Sequence, residues 1–316
     1  MCIKERNASD STCKKLLRDK GCFADLCNYA FFQGRQVIQP EELVSRENDL
    51  STLIGKVDKP TEIKRYRDVV RKASIHGEYV IIGVEHQSTF DEKMIFRILN
   101  YDATIYINQV ESKQEIYPVG SFVFYTGDKE WKSPETLKET LKNIPPEMEP
   151  YINDWRLPVV ELKTMDARKL TNQRLRDVVE ISQSMFAGNY DDLRNNRKIE
   201  TENFMMAATF TRTKIKREDL PEGDEINMCE AMDRLFQRFE NQGIEKGETI
   251  GFEKGERSGI EKGKSDTLKD LLKVKLGTLS RPLEKQLTNT SLEKLNELTL
   301  NIFNVTNEED VLRIIN

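Results

Sequence analysis

Tyr79-Val-Ile-Ile-Gly-Val-Glu-His-Gln-Ser88 is the stretch around which the chain can be read. Tyr79 to Val84 is a short apolar run rich in β-branched residues, and it breaks off at Glu85, His86 and Gln87. It therefore reads as a buried strand that delivers polar groups at its end. On a strand, residues two apart share a face, so Glu85 and Gln87 point one way and His86 points into the opposite layer. His76-Gly77-Glu78 predicts a turn back to an earlier strand near Tyr66 to Val70. The resulting antiparallel hairpin would set Asp68 across from Glu85.

Two carboxylates and an amide oxygen on one face make a hard, oxygen-rich site suited to Mg²⁺ or Mn²⁺. The plainer alternative has Asp68 as an exposed strand charge, with Glu85 and Gln87 only capping a strand. Because Glu85 follows six apolar or glycine residues, that alternative buries a charge without a partner, which is expensive.

Asp68, a gap of 16 residues and then Glu85-x-Gln87 resembles the PD-(D/E)XK nuclease superfamily. The surrounding residues narrow the likeness: Tyr66-Arg-Asp-Val-Val70, Gly83-Val-Glu-His-Gln-Ser88, Phe96-Arg97 with Tyr101-Asp102, and Phe124-Tyr-Thr-Gly127 with Trp131. In that order they resemble the Rpn family of recombination-promoting nucleases, also described as transposases, from about Phe23 to Trp131 and more loosely to the C-terminus. The resemblance implies a PD-(D/E)XK nuclease-like α/β core that cleaves DNA phosphodiesters in recombination or in mobile elements. Asp68 and Glu85 would hold the metal, and Gln87 would orient water or substrate. Its amide cannot act as a base. The resemblance also makes Asp25, on the first core helix, a candidate further acid.

Composition sets bounds on this reading. With 316 residues the chain exceeds one typical domain, and 33% charged against 37% apolar residues still permits a core. No apolar run approaches the roughly 20 residues needed to span a bilayer, and the N-terminus lacks a signal-peptide core, so a cytoplasmic location is expected. Five cysteines without C-x-x-C spacing and two histidines support neither a disulfide framework nor a zinc finger. The net charge of −5 argues against coating nucleic acid by bulk positive charge. Between Lys59 and Lys72, however, six basic residues stand against Glu62 and Asp68, and they could neutralise phosphates beside a scissile bond or merely line a solvated strand edge.

The remaining elements follow from periodicity. Residues 1 to about 12 look loose, and Thr12 to Ala30 looks helical with Gly21 interrupting. Residues 45 to 62 read as a loop. Thr89-Phe-Asp-Glu92 has capping-box spacing for a helix through Tyr106 that lies on the sheet. Tyr117 to Tyr125 and Leu157 to Leu162 read as strands, with a helix opened by Ser133-Pro134-Glu135 between them. Trp131 reads as a hydrophobic anchor. The sheet is therefore small and mixed, flanked by helices.

From Asp166 to about Phe239 the pattern is helical, with one stripe from Leu175 to Phe186 and another from Ile226 to Phe239. Gly243, Gly247, Gly251, Gly255, Gly259 and Gly263 then recur every four residues among charges. In a helix six glycines cost about 5 to 6 kcal/mol relative to alanine, so the tract is either a helix that closely approaches another or a charged linker. Beyond it, Asp266 to Leu276 is helical and stopped by Gly277, and Thr290-x-x-Glu293 and Thr306-x-x-Glu309 open two more short helices.

The expected organisation is a nuclease-like α/β core over 1–165, a helical extension packing on it over 166–240, the glycine tract over 241–265, and a helical module over 266–316. The all-helical C-terminal region suggests a homodimer or higher oligomer. The expected function is a Mg²⁺-dependent DNA endonuclease. The alternative is a non-catalytic, oligomerising DNA-binding or regulatory protein on a degenerate nuclease fold.

Overall fold

The computed structural model describes residues 3–44, 69–113 and 115–316. Asp68, the 45–62 stretch and most of Lys59 to Lys72 lie outside them. The chain divides into two compact units, Met1–Leu235 and Phe236–Asn316.

The first unit is built on the hairpin. β1 (Val69–Ile75) and β2 (Glu78–Gln87) pair antiparallel, with Val69 opposite Val84 and Ile75 opposite Glu78. The two linking residues, His76 and Gly77, both have positive φ, 53° and 89°, as a tight two-residue turn between right-twisting strands requires. β3 (Val119–Tyr125) and β4 (Val159–Glu161) add in parallel, giving the mixed order β1-β2-β3-β4.

Helices cover both faces. α1 (Ile3–Arg18), α2 (Lys20–Phe32) and the later helix of residues 173–187 bury Ile82, Val84, Phe122, Phe124 and Val160 on one side. α3 (Met94–Glu111) lies on the other, where Met94, Ile95 and Ile98 pack on Val123 and Tyr125. β2 is therefore buried on both faces, which explains its unbroken apolar run.

After α3 come the short α4 (Leu137–Thr140), then α5 (Gln173–Ala187) and α6 (Thr201–Thr211). A small antiparallel pair, β5 (Lys198–Glu200) and β6 (Glu225–Asn227), closes a second core with α5, α6 and the start of α7 (Met228–Leu276). Phe236–Asn316 takes in the rest of α7 and adds α8 (Arg281–Thr288), α9 (Leu292–Asn301) and α10 (Glu308–Ile315). Its own core is leucine-rich, centred on Leu272, Leu287 and Leu298.

Several expectations need correcting. Residues 3–12 are helical, not loose. Gly21 does not break the helix: the break falls at Asp19, whose carboxylate caps α2 by accepting from Cys22 N–H at 2.7 Å. A Cβ at Gly21 would come within 2.4 Å of the Asn172 amide, so close packing accounts for this glycine. The Thr89 capping box does not form, because Asp91 bonds Lys93 N–H and the Arg97 guanidinium and the helix opens at Met94. Thr136, not Ser133, caps the helix before β4. The region after 166 is not all helical, since Ile226 belongs to β6 and not to a helical stripe. Ser291 and Asn307 stand at the N-caps expected of Thr290 and Thr306, and α8, capped by Ser280, was not anticipated.

Candidate active site

The site is assembled at the carboxyl end of β2. The parallel register sets Glu85 beside Val123 and Val159, and Gln87 beside Tyr125 and Glu161, all on the face that carries α3. Glu85 is only 3% exposed. The Gln87 amide donates to Glu85 Oε1 at 3.3 Å, so the pair share a face as the strand period requires. Arg97, on the first turn of α3, reaches back and donates to the same Oε1 at 2.7 Å. Its other arm donates to Asp91 at 3.1 Å.

The buried charge of Glu85 therefore has a partner, contrary to the cost argument raised from sequence. Burial alone would lower the Arg97 pKa, but hydrogen bonding with Tyr101 and the charge of Glu85 outweigh it and hold the guanidinium above its ordinary value.

His86 faces the other layer. Its Nδ1 lies 2.9 Å from Asp10 Oδ1, and its Nε2 lies 2.9 Å from Thr126 Oγ1 and 3.4 Å from Ser9 Oγ. Phe124 and Phe210 wall the ring at centroid distances of 6.4 and 5.9 Å. This Ser, His and Asp grouping does not present a nucleophile, because Ser9 and Thr126 are themselves buried. It ties α1 to the ends of β2 and β3.

Asp25 is committed to the same side of the sheet as His86. Its Oδ2 accepts from Thr171 N–H at 2.8 Å and Asn172 N–H at 2.9 Å, and its Oδ1 from Gln36 and from the Thr171 hydroxyl. The structure brings it to the entry of α5, while Glu85 faces α3. Asp102, also buried, accepts from Ser121 at 2.6 Å and from Trp155 at 3.3 Å, a packing role.

The basic run is partly accounted for. Arg71 donates to Leu17 and Arg18 carbonyls at the end of α1, and Lys72 lies over the rings of Tyr79 and Tyr117 at 4.0 and 3.7 Å. Both side chains are engaged in these contacts. Lys59, Lys64, Arg65 and Arg67 lie outside the described residues.

Three neighbours of the site were not foreseen as such. Arg212, in left-handed conformation at the end of α6 (φ 58°), donates to Ser88 O at 2.8 Å just past the polar end of β2. Glu161 accepts from Trp131 N–H at 3.1 Å and joins the Gln87 and Tyr125 row. Tyr125 has its phenol pKa raised by burial and by Glu161. Gly127 lies against that ring, where an added Cβ would clash with the phenol end and force it to shift. Trp131 packs edge-on against Tyr125 at 5.0 Å, the anchor expected of it.

A hard divalent cation suits the Glu85 carboxylate and Gln87 amide oxygen in kind. Among the described residues no group of three or more acidic, His or Cys side chains could hold a metal ion. Among those residues Cys13, Cys22, Cys27 and Cys229 form no disulfide, and burial pushes up the thiols of Cys22 and Cys27. No described helix is long and apolar enough to cross a membrane.

The architecture defines a class: an α/β domain whose small mixed sheet carries a buried acid at a strand end. Residues 61–211 match the family described as "Putative transposase, YhgA-like". The match runs from before β1 to the last residue of α6 and agrees with the family resemblance read from the sequence. Comparison with curated proteins and with solved structures finds no match.

Proposed function

We propose that the protein is a metal-dependent DNA endonuclease of the PD-(D/E)XK kind, acting in recombination or on mobile elements. The observation that carries this reading is Glu85: a carboxylate 3% exposed, on one face with Gln87, near the carboxyl end of a strand in a region that matches a putative transposase family. Asp68 is the second ligand in this reading. It is one peptide bond from Val69, which pairs with Val84, the residue before Glu85.

Asp68 and Glu85 would hold Mg²⁺ or Mn²⁺. The bound ion supplies Lewis-acid polarisation of the phosphodiester and a nucleophile at neutral pH. Gln87 fixes the Glu85 carboxylate and offers its amide oxygen to orient water or substrate. The apolar walls from Val123, Met94 and Ile98 lower the local dielectric and strengthen these contacts.

The test is supercoiled plasmid DNA incubated with the purified protein and Mg²⁺, beside Asp68→Ala. Nicking by the wild type and none by the variant is expected. Equal nicking by both, or none under any metal, would leave the non-catalytic DNA-binding reading. The same proposal places self-association in the helical C-terminal unit. Size-exclusion chromatography should then show a smaller assembly for a chain ending at residue 239, and an unchanged assembly would count against it.

A further inference from the structure

The outer face of α3 is as short of charge as its inner one. Met94, Ile95, Ile98 and Ile105 are buried beneath the helix. Turned to solvent are Phe96, Asn100, Ala103, Ile107 and Val110, at spacings of four, three, four and three residues, which is one face of a helix. Phe96 is 46% exposed, Ile107 55% and Val110 59%. The charged residues of α3 lie elsewhere: Arg97 is bonded to Glu85 and Asp91, Asp102 is buried, and Glu111 is the last residue. A helix with no charge on either face has the pattern of one covered on both sides. The stripe carries no cation, so a phosphate backbone is no partner for it.

The stripe is two-fold in sequence. Counted outward from Ala103, Phe96 and Val110 stand seven residues away on either side, and Leu99 and Ile107 stand four away. Two such helices crossing antiparallel at Ala103 would set Phe96 of each against Val110 of the other, and the small alanine would let the backbones approach. The charges at the two ends select this sense. Lys93, the residue before α3, and Glu111 are both exposed, and at 100° per residue they lie on the same flank of the stripe. Antiparallel packing brings Lys93 of each copy beside Glu111 of the other, twice over, whereas a parallel pair would gather both lysines at one end and both glutamates at the other.

We propose that the outer face of α3 docks a second copy of this chain, as an antiparallel helix pair centred on Ala103. Nothing in this depends on a metal or on nuclease activity. A single helix pair is a small interface, so association in the micromolar range is expected.

The test uses the full chain. Sedimentation is followed against concentration for wild type, Ile107→Glu, Lys93→Glu and the double variant Lys93→Glu with Glu111→Lys. Ile107→Glu should weaken association on the order of a hundred-fold, because the change enters a two-fold interface twice and buries a charge each time. Lys93→Glu should weaken it a few-fold, and adding Glu111→Lys should restore it, since opposite charges face each other again. All three side chains are exposed, so thermal unfolding of the dilute variants should stay close to that of wild type. Under mild oxidation Ala103→Cys should join two chains through position 103, seen as a linked peptide by mass spectrometry. Val110→Cys should not, because antiparallel packing about Ala103 holds the two positions roughly 20 Å apart.

The link at 103 also separates α3 from the helical C-terminal unit, whose self-association would go on without it and would ignore Ile107→Glu. A monomer at every concentration, whether the face stays bare or another part of the same chain covers it, would overturn the proposal. So would an assembly unchanged by Ile107→Glu, or a link formed by Val110→Cys and not by Ala103→Cys. Should Ile107→Glu fail to fold, absence of the link in Ala103→Cys would overturn it alone.

Discussion

On one face of β2, His86 has both ring nitrogens engaged by Asp10, Thr126 and Ser9 and is walled in by two phenylalanines. On the other face, one residue earlier, Glu85 is just as buried, but its charge is met by an arginine that itself reaches solvent. Polar burial alone does not distinguish them. The partners are similarly exposed, Asp10 at 32% and Arg97 at 29%, and what differs is that three groups converge on His86 whereas Arg97 divides between Glu85 and Asp91. The first ties secondary structure together, while the second leaves a charge that a ligand can contest.

The sharpest way to break this comparison is to remove the charge of Glu85 while keeping its shape. On the nuclease reading proposed above, Glu85→Gln should lower plasmid cleavage about a thousand-fold or more, because several kcal/mol of metal-derived stabilisation would be lost. Its urea midpoint should barely move, since replacing a buried ion by a neutral isostere removes a desolvation cost along with the ion pair. Persistent cleavage at wild-type rate would mean that the acid of β2 is no ligand.

His86→Ala should do the opposite. It leaves a cavity between Phe124 and Phe210 and takes the partner from Thr126, so unfolding in urea should show a loss of about 3 kcal/mol. Cleavage per folded molecule should stay within about ten-fold of wild type. A collapse of activity with unchanged stability would reverse the assignment of the two faces. Asp25→Ala extends the same contrast at a smaller scale. Two backbone N–H groups at 171 and 172 lose their acceptor, for about 2 kcal/mol by the same assay, with no change in cleavage.

How far the sequence carries follows from the range of each interaction. The hairpin was legible because the apolar run and the His76-Gly77 turn are local signals, and strand period alone separated His86 from Glu85 and Gln87. Asp25 could not be placed that way. Its partners at 171 and 172 are remote in sequence, and a helical acid looks the same whether it ligates a metal or caps a distant turn. Arg97 was legible only as a family position, since its contact with Glu85 depends on α3 opening at Met94 instead of at the Thr89 box. Arg212 carries no local signal, because its left-handed conformation and its contact with Ser88 arise from tertiary packing. β5 and β6, three residues each, are too short for any period to show.

The glycine tract supplies the smallest effect and the plainest sign test. Residues 243–263 lie within α7, and a Cβ added at any of the six glycines meets nothing within 4 Å in the described residues. Gly251→Ala should therefore carry no steric cost and should stabilise the helix by about 1 kcal/mol, read as slower amide exchange around residue 251 at low protein concentration. Nothing among the described residues explains a glycine there, and a surface that approaches the backbone from outside would. Repeating the measurement at high protein concentration tests for that surface. If a second copy of α7 supplies it, the added methyl should weaken association while still stabilising the separate helix, and a gain of equal size at both concentrations would remove self-association as the reason for the stripe.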